Sequence, residues 1–161
     1  SQLDVLAEIR VISKFPEKAV KVAEVTARQF EWRIRYPKPG TDLTTEPNPG
    51  DLYFVNELHV PVSRPVIINL RTQDVQHAFF SPQLRVKQDA VPGLVIPVWF
   101  DIEKVGEYDL VCAELCGWGH YKMKARIVAQ SQNSVDRYLQ ELEAEQNEDG
   151  TRSVAAQSGD E

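Results

Sequence analysis

The sequence predicts an all-β fold, a sandwich or barrel of short antiparallel strands followed by a short C-terminal helix. Three observations carry that expectation. Apolar and polar residues alternate in several short segments, proline and glycine turns separate them, and no helical periodicity intervenes. From Gln29 to Tyr36 the alternation is strict, with Phe30, Trp32, Ile34 and Tyr36 on one face and Gln29, Glu31, Arg33 and Arg35 on the other. Pro37, Pro39 and Gly40 end this strand, and a polar, proline-containing loop runs from Thr41 to Gly50, with Asn48-Pro49-Gly50 as its turn.

Apolar segments resume at Leu52 to Val55 and His59 to Val62. Val66, Ile68 and Leu70 then alternate with Ile67, Asn69 and Arg71. A run from Leu94 to Ile102 contains Pro97, which assigns it to a sheet edge or a bulge. Tyr108, Leu110 and Cys112 share one strand face, and Met123, Ala125 and Ile127 share another, so that Cys112 ends one strand and Met123 opens the next. Val135, Tyr138, Leu139 and Leu142 follow helical spacing behind Ser134 as the expected cap, and Val5, Ile9 and Ile12 repeat the pattern more weakly near the start. After Glu145 the chain is polar and is expected to fray.

A length of 161 residues suits one domain or at most two small ones, and 42% hydrophobic against 26% charged residues marks a globular chain. The net charge of −6 and pI near 5.1 exclude nucleic acid as a partner. That charge sits in residues 131–161, which carry eight acidic and two basic residues. The longest uncharged apolar run, Ala90 to Phe100, falls short of the roughly 18 residues that a membrane-spanning helix needs. Two cysteines cannot frame a domain of this size with disulfides.

Those cysteines lie in Cys112-Ala-Glu-Leu-Cys116-Gly-Trp-Gly-His120-Tyr-Lys-Met123, which gathers two thiols, an imidazole and the chain's one methionine into twelve residues. Thiolate and thioether are soft donors, and methionine beside cysteine and histidine favours copper over zinc. Two cysteines can each bridge a pair of metal ions, which places binuclear copper ahead of the alternatives. Those alternatives are a Cys112–Cys116 disulfide, a Cys2His2 zinc site and a mononuclear copper site. A further ligand must come from elsewhere, and His77, just past the Val66 to Arg71 strand, can meet the loop at one pole of a sandwich.

These residues resemble a known family, the extramembrane copper A (CuA) domain of subunit II of the haem-copper cytochrome c oxidases. The loop has that family's C-x-x-x-C-x-x-x-H-x-x-M form. Asp74-Val-Gln-His77, Lys87-Gln-Asp89-Ala-Val-Pro92-Gly93, Asn56-Glu-Leu-His59-Val-Pro and the Gln29 to Tyr36 strand are similar to it as well, over roughly residues 20–130. The resemblance implies a cupredoxin-like Greek-key β-sandwich. In it Cys112 and Cys116 bridge two coppers, His77 and Met123 complete one, and His120 and the Glu114 backbone carbonyl complete the other. The Glu114 side chain is expected to help hold magnesium against subunit I.

The implied function is one-electron transfer from cytochrome c, soluble or fused, to haem in subunit I. The implied place is the extracytoplasmic (periplasmic) face of a membrane. Residues 1–19 would follow a membrane anchor, and residues 131–161 would form the helix and a flexible acidic tail. No C-x-x-C-H haem motif is present. The alternatives are the CuA domain of a nitrous-oxide reductase, against which the Lys87 to Gly93 segment speaks, and a mononuclear copper or zinc module. A quinol-oxidase subunit would lack the cysteines.

The chain departs from the family in places. Many relatives have tryptophan after the strand's glutamine, where electrons are thought to arrive, but here that residue is Phe30 and the next aromatic is Trp32. Trp118 is an alternative point of arrival, with shielding of the metals from water as its favoured role. Leu94 replaces a common arginine. Asp74 is expected to orient His77 by hydrogen bonding, and His59 to be a hydrogen-bonded structural residue.

Overall fold

In the computed structural model, residues 15–149 are described. The expected N-terminal helix around Val5, Ile9 and Ile12 lies outside them. Among the described residues, ten strands form two five-stranded sheets, followed by one α-helix. The strands are β1 (Val20–Arg28), β2 (Glu31–Tyr36), β3 (Leu52–Val55), β4 (Glu57–Pro61), β5 (Pro65–Thr72), β6 (His77–Ser81), β7 (Val86–Ala90), β8 (Ile96–Asp101), β9 (Gly106–Cys112) and β10 (Lys124–Gln130). The helix α1 is Gln132–Asp149.

One sheet has the order β3-β2-β1-β5-β8 and the other β4-β10-β9-β6-β7. The core between them is built from the inward positions that the alternation picks out, among them Trp32, Ile34, Tyr36, Ile68, Leu70, Leu110 and Ile127, all fully buried. Pro97 lies in β8, which pairs only with β5 and is therefore an edge strand, as a proline without an N–H to donate requires. The Asn48 to Asp51 turn closes with the Asp51 N–H donating to the Asn48 carbonyl at 3.0 Å.

Several expectations are corrected. The sheets are mixed, because β1 runs parallel to β5 and β4 parallel to β10. Strand alternation reports which face is buried, not which neighbour is met, and both pairs join strands separated by long crossovers through the opposite sheet. Strand β1 carried no clear sequence signal. A register shift between Lys21 and Ala23 moves the buried set from the valine phase to Ala23, Val25 and Ala27.

Phe30 lies in the β1–β2 turn and not in a strand. Arg35, expected on the solvent side, is only 3% exposed. The 41–51 loop folds over it, and its guanidinium donates to Asp51 Oδ2 at 2.7 Å, Glu24 Oε2 at 2.9 Å and the Thr44 carbonyl at 2.8 Å. A buried guanidinium is tolerable when its donors are matched in this way.

The helix starts before Ser134, whose N–H is instead capped by Ser131 Oγ at 3.2 Å. It also continues past Glu145, because Gln146 is buried and its carboxamide bonds both the N–H and the carbonyl of Tyr53 on edge strand β3. His59 is structural, as expected, with its ring nitrogens 2.8 Å from Gln130 Oε1 and 2.6 Å from Glu57 Oε1, and Tyr138 of α1 stacks on it. None of the described helices is long and apolar enough to cross a membrane.

Candidate metal centre

One pole of the sandwich collects the chemistry. His77 is the first residue of β6 and Cys112 the last of β9. These strands are neighbours, with Phe79 opposite Cys112. The chain leaves β9 through a loop, makes a single 3-10 turn at His120–Lys122, and re-enters the sheet at Lys124 immediately after Met123. The Ala113 N–H donates to the Ala78 carbonyl at 3.1 Å, and the Cys112 N–H to the Met123 carbonyl at 3.3 Å, so strand pairing fixes both ends of the loop.

The donor atoms converge. His77, Cys112 and Cys116 each offer one ligand atom within 4.8 Å of the others, and all three residues are buried. The two Sγ atoms are 3.9 Å apart and both cysteines are free, so the loop disulfide is not formed. His77 Nδ1 lies 3.8 Å from Cys112 Sγ, His120 Nδ1 3.5 Å from Cys116 Sγ, and Met123 Sδ 3.9 Å from Cys116 Sγ. The Glu114 carbonyl is 3.1 Å from Cys112 Sγ. Each imidazole thus approaches a different sulfur of the pair. Met123 is buried, His120 and Glu114 half-buried.

Asp74 lies beside His77. Its Oδ1 is 2.8 Å from His77 Nε2, a partner for an Nε2–H that turns Nδ1 towards the sulfurs. Burial works against the charged form of Asp74, but the N–H groups of Gln29 and Val75 and the His77 ring outweigh it and hold the carboxyl below its ordinary range. Burial likewise opposes a charge on His77, and hydrogen bonds to Cys112 and Asp74 reverse that and raise it.

The sulfurs split. Burial pushes Cys112 up, yet His77 and the main chain of Ala78 and Glu114 bring it down to about 6. Burial and the neighbouring Cys112 charge push Cys116 up to about 12. One sulfur is therefore ready as thiolate, and the second would release its proton to solvent as a metal bound. Two thiolates, two imidazoles, a thioether and a carbonyl form a soft donor set that fits copper, and thioether sulfur is a poor match for zinc.

The aromatic candidates separate. Trp32 is fully buried and packs against His77 and Phe79 at ring distances of 6.4 and 5.8 Å. Trp118 is 81% exposed and meets Phe30 edge-on at 5.4 Å. That exposure does not suit a shield against water. Leu115 and Tyr121 of the same loop are exposed as well.

Three residues went unnoticed in the sequence. A Cβ on Gly119 would fall 2.5 Å from Phe30 Cε2, and one on Gly117, whose φ is +144°, would fall 2.8 Å from Gln29 Nε2. Gln29 Nε2 itself donates to the Cys116 carbonyl at 2.5 Å. The glycines flanking Trp118 were the available signal: they admit the β1–β2 turn to the back of the ligand loop.

Comparison with known proteins agrees with this geometry. A subunit 2 of an alternative cytochrome c oxidase from Bradyrhizobium diazoefficiens is 32% identical over 145 residues, covering 78% of this chain and 52% of that protein. A cytochrome c oxidase subunit 2 from Thermostichus vulcanus is 36% identical over 123 residues, covering 76% and 34%. The chain thus spans about a third to a half of these relatives.

The crystal structure of the periplasmic domain of subunit II of cytochrome oxidase (CoxB) from Bradyrhizobium japonicum superposes with a TM-score of 0.70. It is 25% identical, with coverage of 82% of this chain and 99% of that one, and it establishes the fold as cupredoxin-like. A further solved structure, at a TM-score of 0.65 and 26% identity over 82% of this chain and 97% of that one, is a mixed disulfide between a thioredoxin-like protein and a cytochrome c oxidase subunit II. The family described as "Cytochrome C oxidase subunit II, periplasmic domain" matches residues 25–131, and the chain belongs to that family.

Proposed function

We propose that the domain holds a binuclear copper centre and relays single electrons from cytochrome c to haem in subunit I of a terminal oxidase. The observation that supports this most directly is the meeting of two free cysteine sulfurs, each approached by an imidazole, at one pole of a rigid sandwich. Cys112, Cys116, His77, His120, Met123 and the Glu114 carbonyl would hold the copper. The copper pair supplies one-electron redox chemistry with little change of shape.

The protein's part is to hold ligands at strand ends, to neutralise metal charge with two thiolates, and to orient His77 through Asp74. The Glu114 side chain is left for a hard cation such as magnesium at a subunit contact. On this reading the domain sits on the extracytoplasmic side, carried by a membrane anchor, and oxygen chemistry belongs to another subunit.

An external disulfide could take two electrons and two protons from thiols this close, closing a Cys112–Cys116 disulfide that would block metal uptake. A thioredoxin-like dithiol would restore both thiols and become a disulfide itself, a partnership that the mixed-disulfide relative makes reasonable.

Electron-spin resonance of the copper-loaded chain tests the central claim. An unpaired electron shared equally between two copper nuclei, at two coppers per chain, is the expected result. Hyperfine splitting from a single nucleus would overturn it.

A further inference from the structure

The ligand loop is held at its ends by strand pairing, but its middle contains two glycines and turns on local bonds, His120 N–H to the Gly117 carbonyl at 3.1 Å and Lys122 N–H to the Gly119 carbonyl at 2.9 Å. Something outside the loop must fix where Cys116 sits. The β1–β2 turn comes from the opposite sheet and reaches it at that point.

Gln29 makes two contacts from this turn. Its backbone N–H donates to Asp74 Oδ2 at 2.7 Å, and Asp74 Oδ1 holds His77 Nε2 at 2.8 Å. Its side-chain Nε2 donates to the Cys116 carbonyl at 2.5 Å. One residue is therefore bonded towards the histidine beside one sulfur and to the main chain of the cysteine that carries the other. A Cβ at Gly117 would lie 2.8 Å from this amide nitrogen, so a side chain there would push it away. Next door, the Phe30 ring fills the room that side chains at 117 and 119 would need.

We propose that Gln29 is a positioning residue of the metal centre, clamping Cys116 to the Asp74–His77 pair across the gap between the two sheets. The inference deepens the reading of the site as a copper centre and rests on it. The clamp is directional, because only an N–H donor at the Gln29 side chain can satisfy the Cys116 carbonyl. Gln29 is itself exposed, so its core packing contribution is small and its effect should appear in the metal site before it appears in the fold.

Gln29→Glu in the full chain is the test. The change keeps the shape and the backbone bond to Asp74 but sets a carboxylate against the carbonyl. The expected result is copper release to a chelator about 10-fold faster or more, with an altered hyperfine pattern and the metal-free unfolding midpoint little changed. Failure to load copper with the fold intact counts the same way. Parental release and spectrum would overturn the clamp, as would lower stability of the metal-free chain with a parental spectrum.

Should Gln29→Glu fail to fold, Gln29→Ala is read by the same measures. If the parent chain shows no two-copper spectrum, the copper reading falls separately. Amide exchange in the metal-free chain then decides the clamp, with faster exchange at 117–122 in the variant upholding it and unchanged exchange overturning it.

Discussion

The ring of Phe30 stands where a side chain on Gly119 would have to go: a Cβ there would come within 2.5 Å of Phe30 Cε2. Real Cβ atoms are not found so close to a carbon, so Gly119→Ala must shift either the ring or the loop. The ring is wedged between Trp118 and the loop backbone, and the loop carries His120. We expect Gly119→Ala to cost about 1–3 kcal/mol in thermal or denaturant unfolding, the usual range for overpacking, and to reduce copper bound per chain below two. Trimming the ring in the double variant with Phe30→Leu should restore part of both.

Copper loading should weaken as pH falls, because metal binding requires both sulfurs as thiolates and neutral imidazole nitrogens. Cys116, pushed up to about 12, must release a proton to solvent for the metal to bind throughout the neutral range, and Cys112, held near 6, does so as well in more acidic buffer. The apparent affinity should therefore drop by at least about one decade per pH unit between pH 8 and 6, and more steeply below, one decade corresponding to each proton displaced. Competition titrations against a chelator across that range measure it. A flat profile down to pH 5 would rule out this ligand set.

The metal-free protein should show a different pH response through Asp74 and His77. The Asp74 carboxyl is lowered in the folded state, so its stabilisation is present above the unfolded value of about 3.9 and is lost as pH falls through the lower folded one. His77 is raised, so its stabilisation is complete below about 6.5, the unfolded value, and is lost as pH rises through the folded one. The pair contributes most between about pH 4 and 6.5. Asp74→Asn should remove Asp74's share of that contribution and leave the share that His77 owes to Cys112, which denaturant titrations of the copper-free chain at pH 5 and pH 8 will reveal.

Much of this site could be read from the chain alone, because its donors are packed into twelve consecutive residues and ligand chemistry leaves few other uses for them. The strand ends beside them were also legible: Cys112 closes β9 and Met123 directly precedes β10. What alternation cannot carry is which strands become neighbours, and so the parallel β1–β5 and β4–β10 pairs were missed. Arg35 was misplaced for a related reason. Its burial comes from a loop folding over the sheet, and Glu24 and Asp51, which neutralise it, lie 11 and 16 residues away in sequence. Gln29 was invisible as a clamp because its partner, the Cys116 carbonyl, is a group that every residue possesses.

Trp118 is the more exposed of two exposed aromatics in the ligand loop, the other being Tyr121, whereas Trp32 is buried against His77. A ring that is 81% exposed gains most by meeting a partner's surface. Trp118→Ala should slow electron uptake from reduced cytochrome c by about tenfold, roughly 1.4 kcal/mol on the barrier, while the copper spectrum stays parental. Stopped-flow reduction of the loaded domain makes the comparison. Equal rates would remove Trp118 from the path.

The helix offers the complementary control, a change that should weaken the fold and spare the metal. Gln146 presents its carboxamide to β3 as another strand would, accepting from the Tyr53 N–H at 3.2 Å and donating to the Tyr53 carbonyl. This closes one edge of the first sheet, where unpaired backbone groups would otherwise invite another chain. Gln146→Ala removes both bonds, and at about 0.5–1.5 kcal/mol each the loss should be about 1–3 kcal/mol of unfolding free energy. Tyr138 stacked on His59 and the buried Leu142 continue to hold the helix, so the chain should still fold. Because α1 packs on β3 and β4 while the ligands come from β6, β9 and the loop into β10, copper stoichiometry and hyperfine pattern should remain those of the parent. A changed spectrum in Gln146→Ala would mean that the helix reaches the metal centre through the sandwich.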